Sequence, residues 1–388
     1  MEKKDNQLDN YSLKELILYF FKIGMIGFGG SVALARMMQD DLVKKKRWIS
    51  ERRYLRGLAL SQLAPGPLST QLAIYIGYRK GKVKGATLAG IFFMLPSFLI
   101  VLLISYFYSF SKNISFIQAM LYGFGASIIG IVASSTINLS RPIVKKRFSW
   151  LIVLVMFILT GITKQENVFY FLLAGIATIL IYAPSDKFSL KKLQMVIPSI
   201  SLFSYNNVNN IKTLLLVALF FLQVGTLAFG GGYAILPLLE TGAVNHYHWI
   251  TNKEFLDAVA VAMITPGPTV IAATFIGYLT AGFFGALIAT VAILLPIYLI
   301  VIILSPFFDR HSENPQLSAF VEGVTAAAIG AIAGSVLLLG KDSIVDQATI
   351  VIAAVSFILT QRFKVPEIIT VLLSGFVGLL FYHSHFRL

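Results

Sequence analysis

The 388-residue chain contains no cysteine and few charged side chains. A chain without cysteine cannot form disulfides, bind iron–sulfur clusters through thiolates or use thiolate catalysis. Walker, GxSxG and HExxH motifs and carboxylate clusters are also missing, so the sequence shows no enzymatic machinery. The pairs His246 with His248 and His383 with His385 have a spacing that does not suit a metal site on one helix face. We therefore expect no enzyme, no cofactor and no metal site.

The composition is that of a membrane protein. Charged residues make up 13% of the chain, against about 25% in soluble domains, hydrophobic residues make up 57%, and the mean hydropathy is +0.79. Apolar runs at 85–110, 116–139, 282–307 and 319–339 are each long enough to cross a bilayer as a helix of about 20 residues. Backbone groups in lipid need internal partners, so unbroken apolar runs predict an all-α polytopic membrane protein.

The net charge of +14 does not predict a nucleic-acid partner, because the basic residues concentrate in short loops between apolar runs. That distribution follows the positive-inside rule and predicts a multi-pass protein of the cytoplasmic membrane. The first apolar run, from Leu16, continues directly into a repeated motif, so we expect no cleavable signal peptide.

The chain contains the same unit twice. FKIGMIGFGG at 21–30 is repeated as FLQVGTLAFG at 221–230, and LAPGPLSTQLAIYIGY at 63–78 as ITPGPTVIAATFIGY at 264–278. Residues correspond at an offset of 201 up to the second PGP and of 200 after it, and we call such pairs matched residues. The predicted domains are an N-terminal repeat (1–183), a linker (184–210) and a C-terminal repeat (211–388). Duplication with glycine and proline breaks at matching positions is typical of transporters.

The matched loops differ in charge, which predicts that the two repeats insert in opposite directions as an inverted repeat. The loop after the first glycine motif carries seven basic residues between Lys44 and Arg56, whereas its counterpart carries only Lys253. Inversion requires an odd number of crossings, and we expect five per repeat plus one re-entrant helical hairpin. In the first repeat the crossings would be 12–42, 85–109, 115–138, 149–163 and 167–183, and the hairpin 54–78. The linker would then be cytoplasmic and both termini outside.

The glycine motifs predict unwound points within helices. Phe28-Gly29-Gly30-Ser31 interrupts the first apolar segment, and Phe229-Gly230-Gly231-Gly232-Tyr233 interrupts its counterpart. Glycine allows positive φ, and an unwound point exposes backbone N–H groups and the positive end of the next helix, which together can bind an anion. The alternative is that the glycines only allow close helix packing.

The PGP motifs give a sharper signal. Proline starts a helix and pushes the preceding residue out of helical geometry, so Pro65-Gly66-Pro67 and Pro266-Gly267-Pro268 each predict the junction of two half-helices. Polar side chains lie beside both motifs and would line an oxyanion site near the midplane: Ser69, Thr70, Gln71, Thr265 and Thr269. The alternative is a pair of structural kinks.

Few ionisable residues lie within the apolar segments, and each is a functional candidate by position. Lys22 and Arg36 could hold an anion, and Glu240 and Glu322 could carry a coupling proton. The alternative for each residue is snorkelling to the interface or a local ion pair.

Together these motifs resemble the chromate ion transporter family of the long, two-domain type. The resemblance rests on FGGS at 28–31, FGGGYAILPLLE at 229–240 and the two PGP segments with their following IGY, and it covers nearly the whole chain. It implies export of chromate, a tetrahedral dianion, with sulfate as a second candidate.

Our hypothesis is a secondary transporter that exports chromate and holds it at the midplane between the repeats, at the FGG and PGP half-helix ends. One alternative is a transporter of sulfate or another small anion. A second, of a different class, is a membrane-embedded lipid flippase or enzyme. The expected partners are a chromate- or sulfate-like oxyanion, the lipid bilayer and, as an open alternative to a monomer, a second copy in a homodimer.

Overall fold

The computed structural model describes residues 11–28, 30–112, 114–143, 146–163, 168–183, 210–228, 232–311 and 315–385. Within these ranges the regular structure is helical throughout, with no strand, and it confirms the all-α fold. The first repeat contains α1 (Leu13–Ile26), α2 (Gly30–Met38), α3 (Glu51–Leu63), α4 (Leu68–Ser111), α5 (Ser115–Ile143), α6 (Arg147–Thr163) and α7 (Val168–Tyr182). The second contains α8 (Asn210–Leu227), α9 (Leu236–Leu239), α10 (Asn252–Ile264), α11 (Ala272–His311), α12 (Pro315–Ser343), α13 (Gln347–Gln361) and α14 (Glu367–His385).

Short irregular helices complete the two repeats. π-Helical turns at the matched segments Gln39–Lys45 and Glu240–His246 follow α2 and α9, whereas 3-10 turns at Gly232–Ile235 and Thr269–Ile271, both in the second repeat, precede α9 and α11. Four segments are long and apolar enough to cross a membrane: 68–111, 115–141, 269–303 and 318–343. Residues 184–209 of the predicted linker and the N-terminal tail (1–10) lie outside the described residues, and Asn210 begins α8.

The two longest helices, α4 and α11, fold back on themselves. Their backbones leave helical geometry at matched positions, where Lys82 has φ 51° and Gly282 has φ 63°. A Cβ atom placed on Gly77 would lie 2.6 Å from the Ala89 Cβ, and one on Gly277 would lie 2.6 Å from the Ala289 Cβ. Each is therefore a tight antiparallel hairpin of a short arm (α4a, 68–80; α11a, 272–280) and a long arm (α4b, 83–111; α11b, 283–311).

The PGP motifs lie at the tips of a second type of hairpin, formed by α3 with α4a and by α10 with α11a. A Cβ on Gly57 would lie 2.6 Å from the Tyr75 ring and 3.1 Å from Leu72, so α3 and α4a run antiparallel. Caps fix where α3 and α10 begin, because Ser50 accepts from the Arg53 N–H and Thr251 forms a capping box with Glu254. The helical hairpin expected at 54–78 is present in this form, with Pro65, Gly66 and Pro67 buried at its tip.

Residues 12–42 do not form the single crossing that we expected. Tyr11, just before α1, stacks on Trp48, beyond α2, with ring centroids 4.8 Å apart, and Tyr19 meets the same indole edge-on at 6.2 Å. In the second repeat Phe220 meets Trp249 at 5.5 Å in the same way. The chain therefore reverses direction between Tyr19 and Trp48 in the first repeat and between Phe220 and Trp249 in the second. The crossing count of five, and the parity argument built on it, do not hold for this segment.

Helix directions establish the inversion instead. Ser97, Tyr108 and Lys112 follow one another along α4b, and they bond to Pro266, Asp257 and Glu254, which run backwards along α10 (2.6, 2.6 and 2.8 Å). Therefore α4b is antiparallel to α10. Since α10 is antiparallel to α11a, and α11a to α11b, the matched helices α4b and α11b are antiparallel. The pseudo-twofold axis lies across the helices, which is the symmetry of an inverted repeat.

The repeats also exchange their last helices. In the first exchange α13 and α14 pack on α5, where Ser134 donates to Gln361 at 2.8 Å and Tyr122 donates to Asp346. In the reciprocal exchange α6 and α7 pack on α12, where Ser149 donates to Glu322 at 2.7 Å. These are among the most extensive helix interfaces in the described structure, so the two repeats interlock.

The two ends of the bundle differ in charge. We call the end that carries Trp48, Lys80 and Lys146 the basic end, and the end that carries Trp249 and Glu254 the opposite end. The basic end gathers the described residues of the predicted basic loops. Cation–π contacts of Lys46 with Trp48 and of Lys80 with Tyr11 lie there, at 4.4 and 4.1 Å from the ring centroids.

Gly130 tests the exchanged packing. A Cβ there would collide with the Ala353 carbonyl on α13, whereas a Cβ on Gly125, on the same helix, meets nothing within 4 Å. We expect Gly130→Ala to lower the midpoint of thermal unfolding in detergent, since overpacking costs about 1–3 kcal/mol. Gly125→Ala is the matched control and should be neutral or stabilising, because alanine favours a helix over glycine by about 1 kcal/mol. Equal midpoints for the two variants would contradict the exchanged packing.

Single cysteines test the inversion, and the natural chain provides a cysteine-free background. Lys84 and Phe284 are matched, exposed residues at the starts of α4b and α11b. In intact cells a membrane-impermeant maleimide should label only one of Lys84→Cys and Phe284→Cys, and opening the cells should make the other reactive. Labelling of both variants from one side would rule out an inverted repeat.

Candidate functional site

Two reciprocal hydrogen bonds join the PGP tip of each repeat to the FGG segment of the other. The Gly66 N–H donates to the Ala228 carbonyl, and the Gly267 N–H donates to the Gly27 carbonyl, both at 2.8 Å. Donors and acceptors are matched residues, so this is one contact made twice about the pseudo-twofold axis. Gly66 and Gly267 have φ of 124° and 103°, a conformation that L-residues with side chains rarely adopt.

The long arms support these tips from the other repeat. Ser97 of α4b donates its hydroxyl to the Pro266 carbonyl at 2.6 Å, and a Cβ on Gly267 would collide with that hydroxyl. At the matched place a Cβ on Gly66 would lie 2.9 Å from Ile297 of α11b. Both supporting residues directly follow the prolines of the long arms, Pro96 and Pro296.

The glycine segments meet at the axis itself. Ser31 and Gly232 are matched residues, and a Cβ on Gly232 would lie 3.8 Å from the Ser31 Oγ. That same Cβ would collide with the Thr269 Oγ1, so both hydroxyl oxygens surround one point. Matched residues can touch in this way only on the pseudo-twofold axis.

Four buried polar atoms around these motifs have no hydrogen-bond partner among the described residues: Ser31 Oγ, Ser69 Oγ, Gln71 Oε1 and Thr269 Oγ1. Ser69 and Gln71 are fully buried, and Thr269 is 7% exposed. Unpartnered buried polar groups are costly, typically about 1–3 kcal/mol each, and therefore mark a place for a polar ligand or water. We call these four residues, with Gly30, Gly66, Gly232 and Gly267, the central cluster.

The other polar residues predicted beside PGP have local partners. The Gln71 amide group donates to the Ala64 carbonyl at 3.1 Å and to the Pro65 carbonyl. The Thr265 hydroxyl donates to the Val261 carbonyl at 2.9 Å, and Thr70 lies 3.9 Å from the Met94 sulfur. These contacts shape the tips, and only the Gln71 oxygen is left without a partner.

The structure places the remaining motif residues as follows. Pro65, Pro67, Pro266 and Pro268 are buried at the hairpin tips, and Tyr233 follows Gly232 in the 3-10 turn. Phe28 is 38% exposed. Gly29, Phe229, Gly230 and Gly231 lie outside the described residues.

No contact of Lys22 or Arg36 with the central cluster is seen among the described residues. Both residues are exposed, because Lys22 lies off the buried face of α1 formed by Leu16, Tyr19, Phe20 and Ile23, and Arg36 lies on the outer face of α2. The structure therefore gives no support to our expectation that these cations bind the anion.

The two predicted coupling carboxylates have different surroundings. Glu240 is 5% exposed, contacts Ser335 of α12, and keeps one oxygen, Oε2, without a hydrogen-bond partner in the described chain. Glu322 forms an ion pair with Lys146 at 3.2 Å and accepts from Ser149, which fits the alternative of a local ion pair.

Sequence reasoning missed one carboxylate near the cluster. Glu367, the first residue of α14, accepts a hydrogen bond from the Tyr233 hydroxyl, and its Oε2 lies 4.0 Å from the position of a Cβ on Gly30. It escaped notice because it follows Pro366 at a helix start and belongs to no repeated motif. The signal that could have found it is an acidic residue at the start of an apolar helix.

Comparison with known proteins gives a clear family assignment. The family model described as "Chromate transporter" matches residues 14–180 and 215–379, one match in each repeat. This chain belongs to the chromate transporter family. The two matches agree with the duplication, and the membrane-transporter family fits the apolar helical fold. No solved structure matches this chain significantly.

Named relatives cover almost the full length. A chromate transport protein of Cupriavidus metallidurans is 44% identical over 96% of this chain and 94% of its own. A probable chromate transport protein of Synechococcus elongatus is 42% identical over 96% of both chains. A chromate transport protein of Pseudomonas aeruginosa is 28% identical over 95% of this chain and 92% of its own.

The glycines at the hairpin tips provide a test of the cross-repeat contact. We expect Gly66→Val and Gly267→Val each to reduce chromate flux in membrane vesicles at least tenfold, because positive φ and the contacts with Ile297 and Ser97 leave no room for a branched side chain. Membrane insertion should persist, since the apolar helices are unchanged. Gly340→Ala is the control, because its nearest new contact would be an ordinary 3.8 Å to Ile129. Wild-type flux in both valine variants would remove the tips from the transport site.

Proposed function

We propose that this protein is a secondary transporter that exports chromate from the cell and binds it at the central cluster. The observation that carries the proposal is the reciprocal FGG–PGP contact, which gathers elements of both repeats and leaves four buried polar atoms unpartnered. The family assignment supplies the substrate class. A site on the axis would be reachable from either end in turn, as alternating access requires.

The chemistry of the cluster suits a tetrahedral oxyanion. Helical segments begin at Gly30, Leu68, Gly232 and Thr269, so four N-terminal ends with free N–H groups are directed towards the same region. Each helix start stabilises a negative charge by about 0.3–2 kcal/mol, the higher value applying in buried sites. The hydroxyls of Ser31, Ser69 and Thr269 add donors that can rotate towards an oxygen.

A site built from N–H and O–H groups also favours release of the substrate. A buried lysine or arginine would hold a dianion by direct charge pairing, and a transporter must let its cargo leave again on the other side. The exposed positions of Lys22 and Arg36 agree with a site that contains no buried cation.

The direction of transport follows from charge. The positive-inside rule places the basic end in the cytoplasm, and the membrane potential of a cell is negative inside. A dianion leaving such a cell gains roughly 4.6 kcal/mol per 100 mV, which can drive export without a coupled ion. If transport is coupled to an ion, we take Glu240 as the candidate carrier. It is buried, whereas Glu322, the other carboxylate predicted from the sequence, is in an ion pair.

The exchanged helices restrict which elements can move during transport. A rigid motion of one repeat against the other would break the packing of α6 and α7 on α12 and of α13 and α14 on α5. We therefore place the motion between the hairpins that carry the motifs (α1–α4 and α8–α11) and the interlocked helices α5–α7 and α12–α14. This replaces our initial hypothesis of motion of one repeat against the other.

Sulfate is the alternative substrate, because it is a tetrahedral dianion of similar shape. A lipid flippase is the alternative of a different class, and it would need a polar groove open to lipid. The central cluster is instead enclosed by helices of both repeats, which favours a small solute.

Reconstituted vesicles test the proposed function. Purified protein in liposomes loaded with chromate should release it, faster when a potassium gradient with valinomycin makes the interior negative. Protein-free liposomes set the background, and external sulfate or phospholipid scrambling assays measure the alternatives. Release no faster than in protein-free liposomes, together with sulfate flux or lipid scrambling, would reject chromate export.

The matched hydroxyls Ser69 and Thr269 provide a sharper test of the site. We expect Ser69→Ala and Thr269→Val each to weaken chromate affinity about fivefold to twentyfold, since one hydrogen bond to a charged group is worth about 1.5–3 kcal/mol and water replaces part of it. Thr136→Val on α5, whose hydroxyl only bonds to the Val132 carbonyl, is the matched control. Chromate affinities equal to wild type in both site variants would place the anion elsewhere.

A further inference from the structure

We infer that the Glu367 carboxylate is an internal competitor of the substrate, so that oxyanion binding requires a proton on Glu367. The inference rests on the proposed function of the central cluster. Nothing in the family assignment or in the motifs points to this residue, which lies outside both repeated signatures.

The first step is position. Glu367 Oε2 lies 4.0 Å from the Cβ position of Gly30, the first residue of α2. Gly30 starts a nine-residue helix whose first N–H groups have no partner within the helix. A carboxylate at a helix start is stabilised by those groups and by the helix dipole. The Glu367 carboxylate therefore lies in space that an oxyanion bound to the central cluster would need.

The second step is the surroundings of the carboxylate. Its recorded partner is the Tyr233 hydroxyl, a neutral donor, and no cation is seen to pair with it in the described part of the chain. Tyr233 adjoins Gly232, where an added Cβ would collide with the Thr269 Oγ1 and lie 3.8 Å from the Ser31 Oγ. A dianion in the cluster and a charged Glu367 would thus lie close together in a medium of low dielectric, where like charges strongly disfavour each other.

Other titratable groups on the elements near Glu367 have partners elsewhere or are exposed. On α10, Asp257 and Glu254 bond to Tyr108 and Lys112 at the opposite end. Tyr122 of α5 donates to Asp346, the cap of α13. The exposed charges on α2, on α5 and in the turn before α14 are Arg36, Arg141, Arg362 and Lys364.

The proton balance is simple. Where Glu367 is ionised, the free protein holds its carboxylate bonded to Tyr233; when the oxyanion binds, one proton moves from solution to Glu367 and Tyr233 stays neutral. Above the pKa of this carboxyl, affinity for the dianion should then fall tenfold per pH unit. Its matched residue, Asn167, cannot titrate, so the proton linkage belongs to the second repeat alone.

The test compares chromate affinity of the full-length protein and of Glu367→Gln in lipid nanodiscs across a pH series. Protonation of chromate itself affects both proteins equally, so the ratio of the two dissociation constants isolates Glu367. We expect the variant to bind more tightly at high pH, with the ratio changing about tenfold per pH unit. Glu322→Gln, which neutralises a carboxylate in the Lys146 ion pair, should follow the wild-type profile.

Tyr233→Phe provides a second measurement that does not depend on Glu367→Gln folding. It removes the donor that stabilises the carboxylate, so high affinity should extend to higher pH. A constant ratio between wild type and Glu367→Gln, or a wild-type pH profile in Tyr233→Phe, overturns the inference while leaving chromate binding intact. Absence of chromate binding by the wild type at every pH overturns the proposed function as well.

Discussion

Buried backbone groups at the hairpin tips impose the main constraint on this structure. Helices end at each PGP tip and just before Gly27 and Ala228, inside an apolar bundle where an unpaired N–H or carbonyl would cost several kcal/mol. The chain avoids this cost through hydrogen bonds between the repeats. The Gly66 N–H donates to the Ala228 carbonyl, and the Gly267 N–H donates to the Gly27 carbonyl. Each repeat thus supplies a backbone acceptor for the tip of the other, which ties the two together about one axis.

Close packing through small residues then holds the hairpins and the exchanged helices together. In lipid there is little hydrophobic drive between helices, and association depends on short backbone approaches and on polar contacts. Gly77 with Gly85 closes one hairpin, and the matched pair Gly277 with Gly285 closes the other. Gly130 of α5 allows the same close approach by α13, and Gly330 of α12 allows it by α6. Much of the glycine content is therefore explained by packing, and only a small part by the site.

The two repeats differ in several polar residues, some of them at or near the central cluster. Gln71 faces the cluster in one repeat, and its counterpart in the other is apolar. Glu240 and the pair of Tyr233 with Glu367 exist only in the second repeat. These unmatched groups make the two repeats chemically different, and the proposed proton linkage of Glu367 depends on one of them.

The sequence by itself determined the all-α membrane fold, the duplication and the family, because apolar runs, matched glycines and prolines and paired motifs are local patterns. Loop charge also indicated the inversion, since insertion responds to short basic loops. Tertiary structure alone decided that residues 12–42 turn back, that the last helices exchange, and that Glu367 lies beside Gly30 while Lys22 and Arg36 do not. Those facts depend on contacts between residues up to 337 positions apart along the chain. No local pattern records which partner will satisfy a buried backbone group.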